Sequence, residues 1–174
     1  MRRSSRSPHS SFPIRMSPAS LSTPCLLLDH PRLNANLRRM QQRADTNDVA
    51  LRPHVKTHKS VALARKQITR GASGLTVATV AEADAFIEAG ADDVRVAFPV
   101  TGRDKHERLA AHGDQARLSC TVDTAAGVDL ASAVHAARDR SLDVLMEVDV
   151  GHGRCGVPWT TPDAAVRLAR RIVD

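Results

Sequence analysis

The sequence has no tyrosine, one tryptophan and three phenylalanines among its 174 residues, so aromatics make up only 2% of it. Surfaces on which nucleobases could stack are scarce, and a nucleic-acid partner is not expected. No apolar run approaches the roughly 18 residues that a bilayer-spanning helix requires, so no membrane partner is expected either. The three cysteines, Cys25, Cys120 and Cys155, are odd in number and form no C-x-x-C pair, which argues against a disulfide framework and against a zinc ribbon. Cys25 and Cys120 lie in apolar, strand-like runs, where a small buried thiol is the usual state, and a cytoplasmic location fits. Residues 1–22 contain no Asp or Glu and lack the apolar core of a secretory signal. Their Arg and Ser content suits an organelle transit peptide, but their prolines oppose an amphipathic helix. They are expected to form a disordered basic arm, with Met16 as an alternative start. Arg2, Arg3, Arg6 and Arg15 supply four of the formal +6 charges, leaving +2 from Met16 onward. That balance is ordinary, so the net charge does not point to a polyanion.

What is present is the composition of a globular domain, 42% hydrophobic and 25% charged. From Pro24 onward, short β-rich runs alternate with helical stretches. The runs are 25–29, 49–56, 74–79, 93–98, 117–123 and 142–150; the helical stretches include 32–44, 61–70, 81–89, 125–138 and 163–173. Punctuation agrees. Thr79 and Glu82 have capping-box spacing, and Gly90 follows that helix as a C′ residue. Pro31 and Pro162 sit in first-turn positions behind the candidate caps His30 and Thr161. Strand and helix repeated this regularly predict an α/β fold with a parallel sheet.

Period two along 142–150 places Val144, Met146, Val148 and Val150 on one face and Asp143, Leu145, Glu147 and Asp149 on the other. Likewise Leu118, Cys120 and Val122 oppose Ser119, Thr121 and Asp123. One face suits an outer layer of helices, and the other grows polar toward the C-terminal end, where (β/α) barrels place their chemistry. A sheet covered on one side only is the alternative. A complete barrel takes eight units and about 250 residues, and about six are counted here. The expected architecture is an incomplete (β/α)8 TIM-type barrel over 23–174.

The segment Leu51-Arg52-Pro53-His54-Val55-Lys56-Thr57-His58-Lys59 carries the most chemistry. As the end of a strand it would set Arg52, His54 and Lys56 on one face. Three cationic or potentially cationic groups there would be costly without an anion, which a phosphorylated cofactor would supply. Lys56 is the candidate nucleophile, since a free amine condenses with an aldehyde, and His54 is a candidate contact. A solvated basic loop is the alternative, and Pro53 counts against a regular central strand. His54 and His58 lack a nearby carboxylate or cysteine, so no metal site is expected in this segment. A second cluster, Glu147 to Val157, runs an acidic strand end into Gly151, Gly153 and Gly156. Glycine permits the positive-φ turns that bring backbone close to a ligand, and Arg154 in that turn would stabilise an oxyanion.

The string RPHVKTHK resembles the lysine motif of the D-threonine aldolase and D-serine dehydratase group, fold-type III pyridoxal-phosphate enzymes with an alanine-racemase-like N-terminal barrel. Residues 23–29 (TPCLLLD) are similar to that group's opening strand, 76–83 (TVATVAEA) to its third strand and following helix, and 147–157 (EVDVGHGRCGV) to its glycine-rich strand-end loop. The resemblance implies that Lys56, not Lys59, forms the Schiff base with pyridoxal 5'-phosphate. It also implies that Arg154 approaches the phenolic oxygen of the cofactor ring and that Thr79 lines the pocket, although capping explains Thr79 without a ligand. The group continues through the rest of the barrel into a β-rich second domain that contributes metal-binding residues. A divalent metal is therefore expected only with that part, which is absent here.

The expected function is a pyridoxal-phosphate-dependent lyase acting on a small D-amino acid, homo-oligomeric when complete. This chain would be a truncated form that binds cofactor weakly and turns over poorly by itself. Racemisation is disfavoured because the related racemases use a tyrosine as second base. The alternatives are a non-catalytic pyridoxal-phosphate-binding barrel and an inactive gene fragment.

Overall fold

The computed structural model describes residues 17–173; the expected arm falls largely on residues 1–16, outside the described residues. Four parallel strands form the sheet: β1 (Leu75–Val77), β2 (Asp93–Pro99), β3 (Arg117–Val122) and β4 (Asp143–Met146), in the spatial order β1-β2-β3-β4. Among the described residues six α-helices accompany them: α1 (His30–Thr46), α2 (Val61–Ile68), α3 (Val80–Glu88), α4 (Arg103–Ala111), α5 (Ala125–Ala136) and α6 (Pro162–Val173). A two-residue pair, β5 (Val148–Asp149) with β6 (Val157–Pro158), stands apart from the sheet. Each connection advances one strand in the same direction, as successive βαβ units do. Among the described residues no helix is long and apolar enough to cross a membrane.

Register explains the core. Leu75 pairs with Val94, Val94 with Leu118, and Cys120 with both Val96 and Val144. The alternate residues therefore align into one apolar face. Against it pack Ala83, Phe86 and Ile87 of α3, Leu109 of α4, Val128 of α5 and Leu168 of α6, all buried. The opposite face is polar. Arg52 makes a bidentate pair with Asp93, both bonds 2.7 Å, Asp93 stands in register with Arg117, and Arg117 pairs with Asp143 at 2.8 Å. One row further along, Arg95 donates to the Ser119 hydroxyl at 3.2 Å. The helix-covered apolar face matches the assignment from the sequence, but these charges lie where the strands begin, not at the C-terminal ends where polarity was expected to grow.

Several expected elements differ. Residues 25–29 form no strand: Leu26 is 99% exposed, and Leu27, Leu28 and Cys25 are exposed too. Cys25 is thus not the buried thiol expected, whereas Cys120 is. No described strand lies alongside 25–29 to accept its backbone bonds. Segment 49–56 is not a regular strand either. It touches β1 through a single bridge, His54 to Thr76, before curling into a 3-10 turn at Val55–Thr57. Pro53 removes one ladder donor there. Of about six expected units, four strands join the sheet. The strand expected at 142–150 breaks at Glu147, so Val148 and Val150 are exposed rather than continuing the apolar face. Helix α1 is capped by Asp29, whose carboxylate accepts from Arg32 N at 2.9 Å, not by His30. Gly90 takes φ +94° and donates to Ile87 O at 2.8 Å, as a C′ glycine should.

Candidate functional site

The strands run parallel, so their C-terminal ends gather on one edge of the sheet, and the candidate residues lie in the loops that leave that edge. The bridge to Thr76 aligns His54 with β1 and sends the chain past the β1 exit. Val55 is fully buried and pins the 3-10 turn, while its neighbour Lys56 is exposed. The His54 Nδ1 accepts from Lys56 N at 3.4 Å, capping that turn. Because the backbone turns at Val55, Lys56 does not continue the face of Arg52. Arg52 lies instead at the opposite edge, neutralised by Asp93, so it does not call for a cofactor anion as the sequence pattern suggested. Burial lowers the His54 pKa, and the Lys56 ammonium lowers it further. The ring is therefore neutral at pH 7.

The two lysines of the motif differ in their partners. Lys59 Nζ lies 3.1 Å from the Glu82 carboxylate. Lys56 has no ion pair or side-chain hydrogen bond among the described residues, so its amine is unengaged. Thr79, at the β1 exit, is exposed and accepts from Glu82 N at 3.1 Å as the N-cap of α3. The reciprocal bond of the expected capping box is displaced by one residue: Glu82 accepts from Ala78 N at 2.7 Å, not from Thr79 N.

The glycine-rich loop after β4 is built around Asp149. Its carboxylate accepts from the backbone N–H groups of Gly151, His152 and Gly153 at 2.8–3.1 Å. Bonds from Gly153 and Gly151 hold the Asp149 pKa below the ordinary carboxylate range. Gly156 adopts φ +103°, and a Cβ there would lie 2.7 Å from Asp149 N; its own N–H donates to Asp123 at 3.2 Å. Cys155 donates to Glu147 at 3.1 Å, and this bond pushes its thiol pKa up. Arg154 is exposed, forms no ion pair among the described residues, and carries its guanidinium 5.8 Å from the Phe98 ring centroid. Phe98 reaches it because β2 slips register between Val96 and Pro99, and such a bulge re-aims a side chain. A cavity of about 190 Å³ lies among Phe98, Glu147, Asp149, His152 and Arg154.

The fold thus places all four candidates, Lys56, His54, Thr79 and Arg154, at strand exits. It joins Lys56 with His54, and Thr79 with Glu82. No described contact links that group to Arg154. Phe98 and Asp123 were missed as site residues. The alternation of 117–123 pointed to Asp123 as polar, but nothing local marks the bulge that turns Phe98. A larger crevice of about 480 Å³, lined in part by Arg117, His135 and Arg140, opens at the opposite edge, where the strands begin, away from these groups.

A parallel α/β domain with an unengaged lysine and an arginine-bearing glycine loop at its strand exits defines the class. The chain belongs to the alanine racemase N-terminal domain family, whose model matches residues 28–173. It is 42% identical over 139 residues to a D-threonine aldolase of an Arthrobacter species, covering 80% of this chain and 37% of that protein. It is 37% identical over 155 residues to the D-threo-3-hydroxyaspartate dehydratase of Delftia sp. strain HT23, covering 89% of this chain and 41% of that one. The solved D-threonine aldolase of Filomicrobium marinum superposes with a TM-score of 0.84 at 37% identity, over 88% of this chain and 41% of that one. The chain therefore spans about two fifths of the length of these relatives.

Proposed function

We propose that this chain provides the cofactor-anchoring part of a pyridoxal-phosphate-dependent lyase for D-amino acids, of the D-threonine aldolase or D-serine dehydratase type. The unengaged amine of Lys56 at the exit edge carries this reading. The one-directional strand order and the one-sided helix layer support part of a (β/α) barrel rather than a doubly wound sheet, whose strand order reverses.

The residues fit the cofactor by their chemistry. Lys56 Nζ would hold it covalently, since an aldehyde needs an amine free of other partners. Arg154 would stabilise the ring's phenolic oxygen with a permanent charge, its guanidinium left free by the absence of a carboxylate partner among the described residues. His54, neutral at pH 7, would offer an uncharged ring beside the lysine. The Thr79 hydroxyl, already accepting from Glu82 N, has its own proton left to donate. Pyridoxal phosphate, when bound, supplies the electron sink. Lys56 and Arg154 serve aldol cleavage and dehydration alike, as the mixed identities of the relatives suggest.

The test is borohydride reduction in the presence of pyridoxal phosphate, followed by peptide mapping, with D-threonine and D-serine turnover assayed in parallel. A stable adduct at Lys56, abolished in Lys56→Ala, is expected. Label concentrated on any other lysine would sink the assignment. Because the chain spans about two fifths of its relatives' length, an adduct at Lys56 without turnover fits the lyase reading and a non-catalytic carrier alike, whereas turnover of D-threonine or D-serine would exclude the carrier.

A further inference from the structure

We propose that Glu82 is a positioning residue for Lys56, its carboxylate fastening the turn that bears Lys56 to the exit of β1. The inference rests on the reading of Lys56 as the cofactor lysine. One partly buried carboxylate spans two chain segments: Oε2 accepts from Ala78 N at 2.7 Å and Oε1 lies 3.1 Å from Lys59 Nζ. The Glu82 side chain is 13% exposed and that of Lys59 is 68% exposed. Burial pushes the Glu82 carboxyl up, but the Ala78 N–H and the Lys59 ammonium outweigh it, and the net shift is downward. The group is therefore charged at neutral pH, as an ion-pair anchor must be.

The turn needs such an anchor. Lys59 sits at φ +46°, a left-handed conformation that a side chain adopts only where the surroundings enforce it. Its N–H bonds Val55 O at 2.8 Å, closing the turn on itself, and its ammonium reaches Glu82. Lys56 lies between two fixed points, the buried Val55 and the tethered Lys59. Another side-chain tie, His58 Nε2 to Gln67 Oε1 at 3.3 Å, leads to α2, and the His54–Thr76 bridge joins only the N-terminal side of the turn to β1. The same ion pair keeps the second amine of the motif occupied, leaving Lys56 to react.

Reductive labelling of the 174-residue chain with excess pyridoxal phosphate and borohydride, quantified at Lys56 and Lys59, tests this. In Glu82→Ala and in Lys59→Met the labelling rate at Lys56 falls about threefold, the scale of one partly exposed ion pair, and in Glu82→Ala the share on Lys59 rises. Lys59→Arg keeps the pair and restores the Lys56 rate, which a loss of packing alone would not predict. Should Glu82→Ala fail to fold, the exposed Lys59 variants carry the test. An unchanged Lys56 rate in Lys59→Met, or a rate in Lys59→Arg as low as in Lys59→Met, overturns the proposal while leaving Lys56 as the cofactor lysine. Wild-type label falling elsewhere than Lys56 overturns the functional reading itself.

Discussion

Gly156 leaves no room for a side chain: at φ +103° an added methyl would sit 2.7 Å from Asp149 N and 2.9 Å from Val148 C. Both neighbours are backbone, so neither yields cheaply. Gly156→Ala is expected to lower stability by about 1–3 kcal/mol and to disturb the loop that presents Arg154; a urea midpoint equal to wild type would contradict this. Gly156 was legible in the sequence as one of three turn glycines, because glycine is the residue that signals positive φ. The environment of Lys56 was less legible. Period two put Arg52 and Lys56 together, yet a 3-10 turn intervenes and Asp93, 41 residues beyond Arg52, takes the guanidinium. No local pattern announces a partner so distant.

At the scale of elements, α3 could be read because its cap and its helical spacing coincide, Thr79 accepting from the N–H three residues on; α5 was legible from its composition alone, and Thr124 caps it in the same way. Helix α4 could not. Its sequence RDKHERLAA shows little apolar periodicity, its buried face includes His106, and its N-cap Gly102 offers no side-chain bond. Its place is held by Leu109, 1% exposed and part of the core. Leu109→Ala should cost about 2–5 kcal/mol in urea unfolding, and a loss well below about 1 kcal/mol would mean that α4 packs more loosely than described. The run 25–29 shows the converse error. Its apolar residues spell a strand, but a strand exists only where another accepts its bonds, and no described neighbour does so.

Across the whole molecule, α4 and α5 meet around two buried histidines, His106 and His135, with ring centroids 5.9 Å apart. His106 has Nδ1 and His135 has Nε2 without a hydrogen-bond partner. Burial lowers both pKa values from the ordinary 6.5, and for His135 the neighbouring His106 and Arg138 lower it further. Below pH 6.5 the unfolded chain therefore takes up protons that the folded chain refuses. Stability present above that value is lost as pH falls toward the folded pKa values, at no more than about 1.4 kcal/mol per pH unit for each ring. The urea midpoint should drop between about pH 7.5 and about pH 5.5, and His135→Phe should remove part of the drop. A midpoint flat over that range would refute the argument.

The staggered row formed by Arg52, Asp93, Arg117 and Asp143 alternates in sign along the edge where the strands begin, with Asp143 set further on, opposite Ser119. Slide β2, β3 or β4 by a single position and its charge leaves the row for the apolar side. The row thus works as an alignment key, making a misthreaded sheet electrostatically costly before any cofactor or partner is involved.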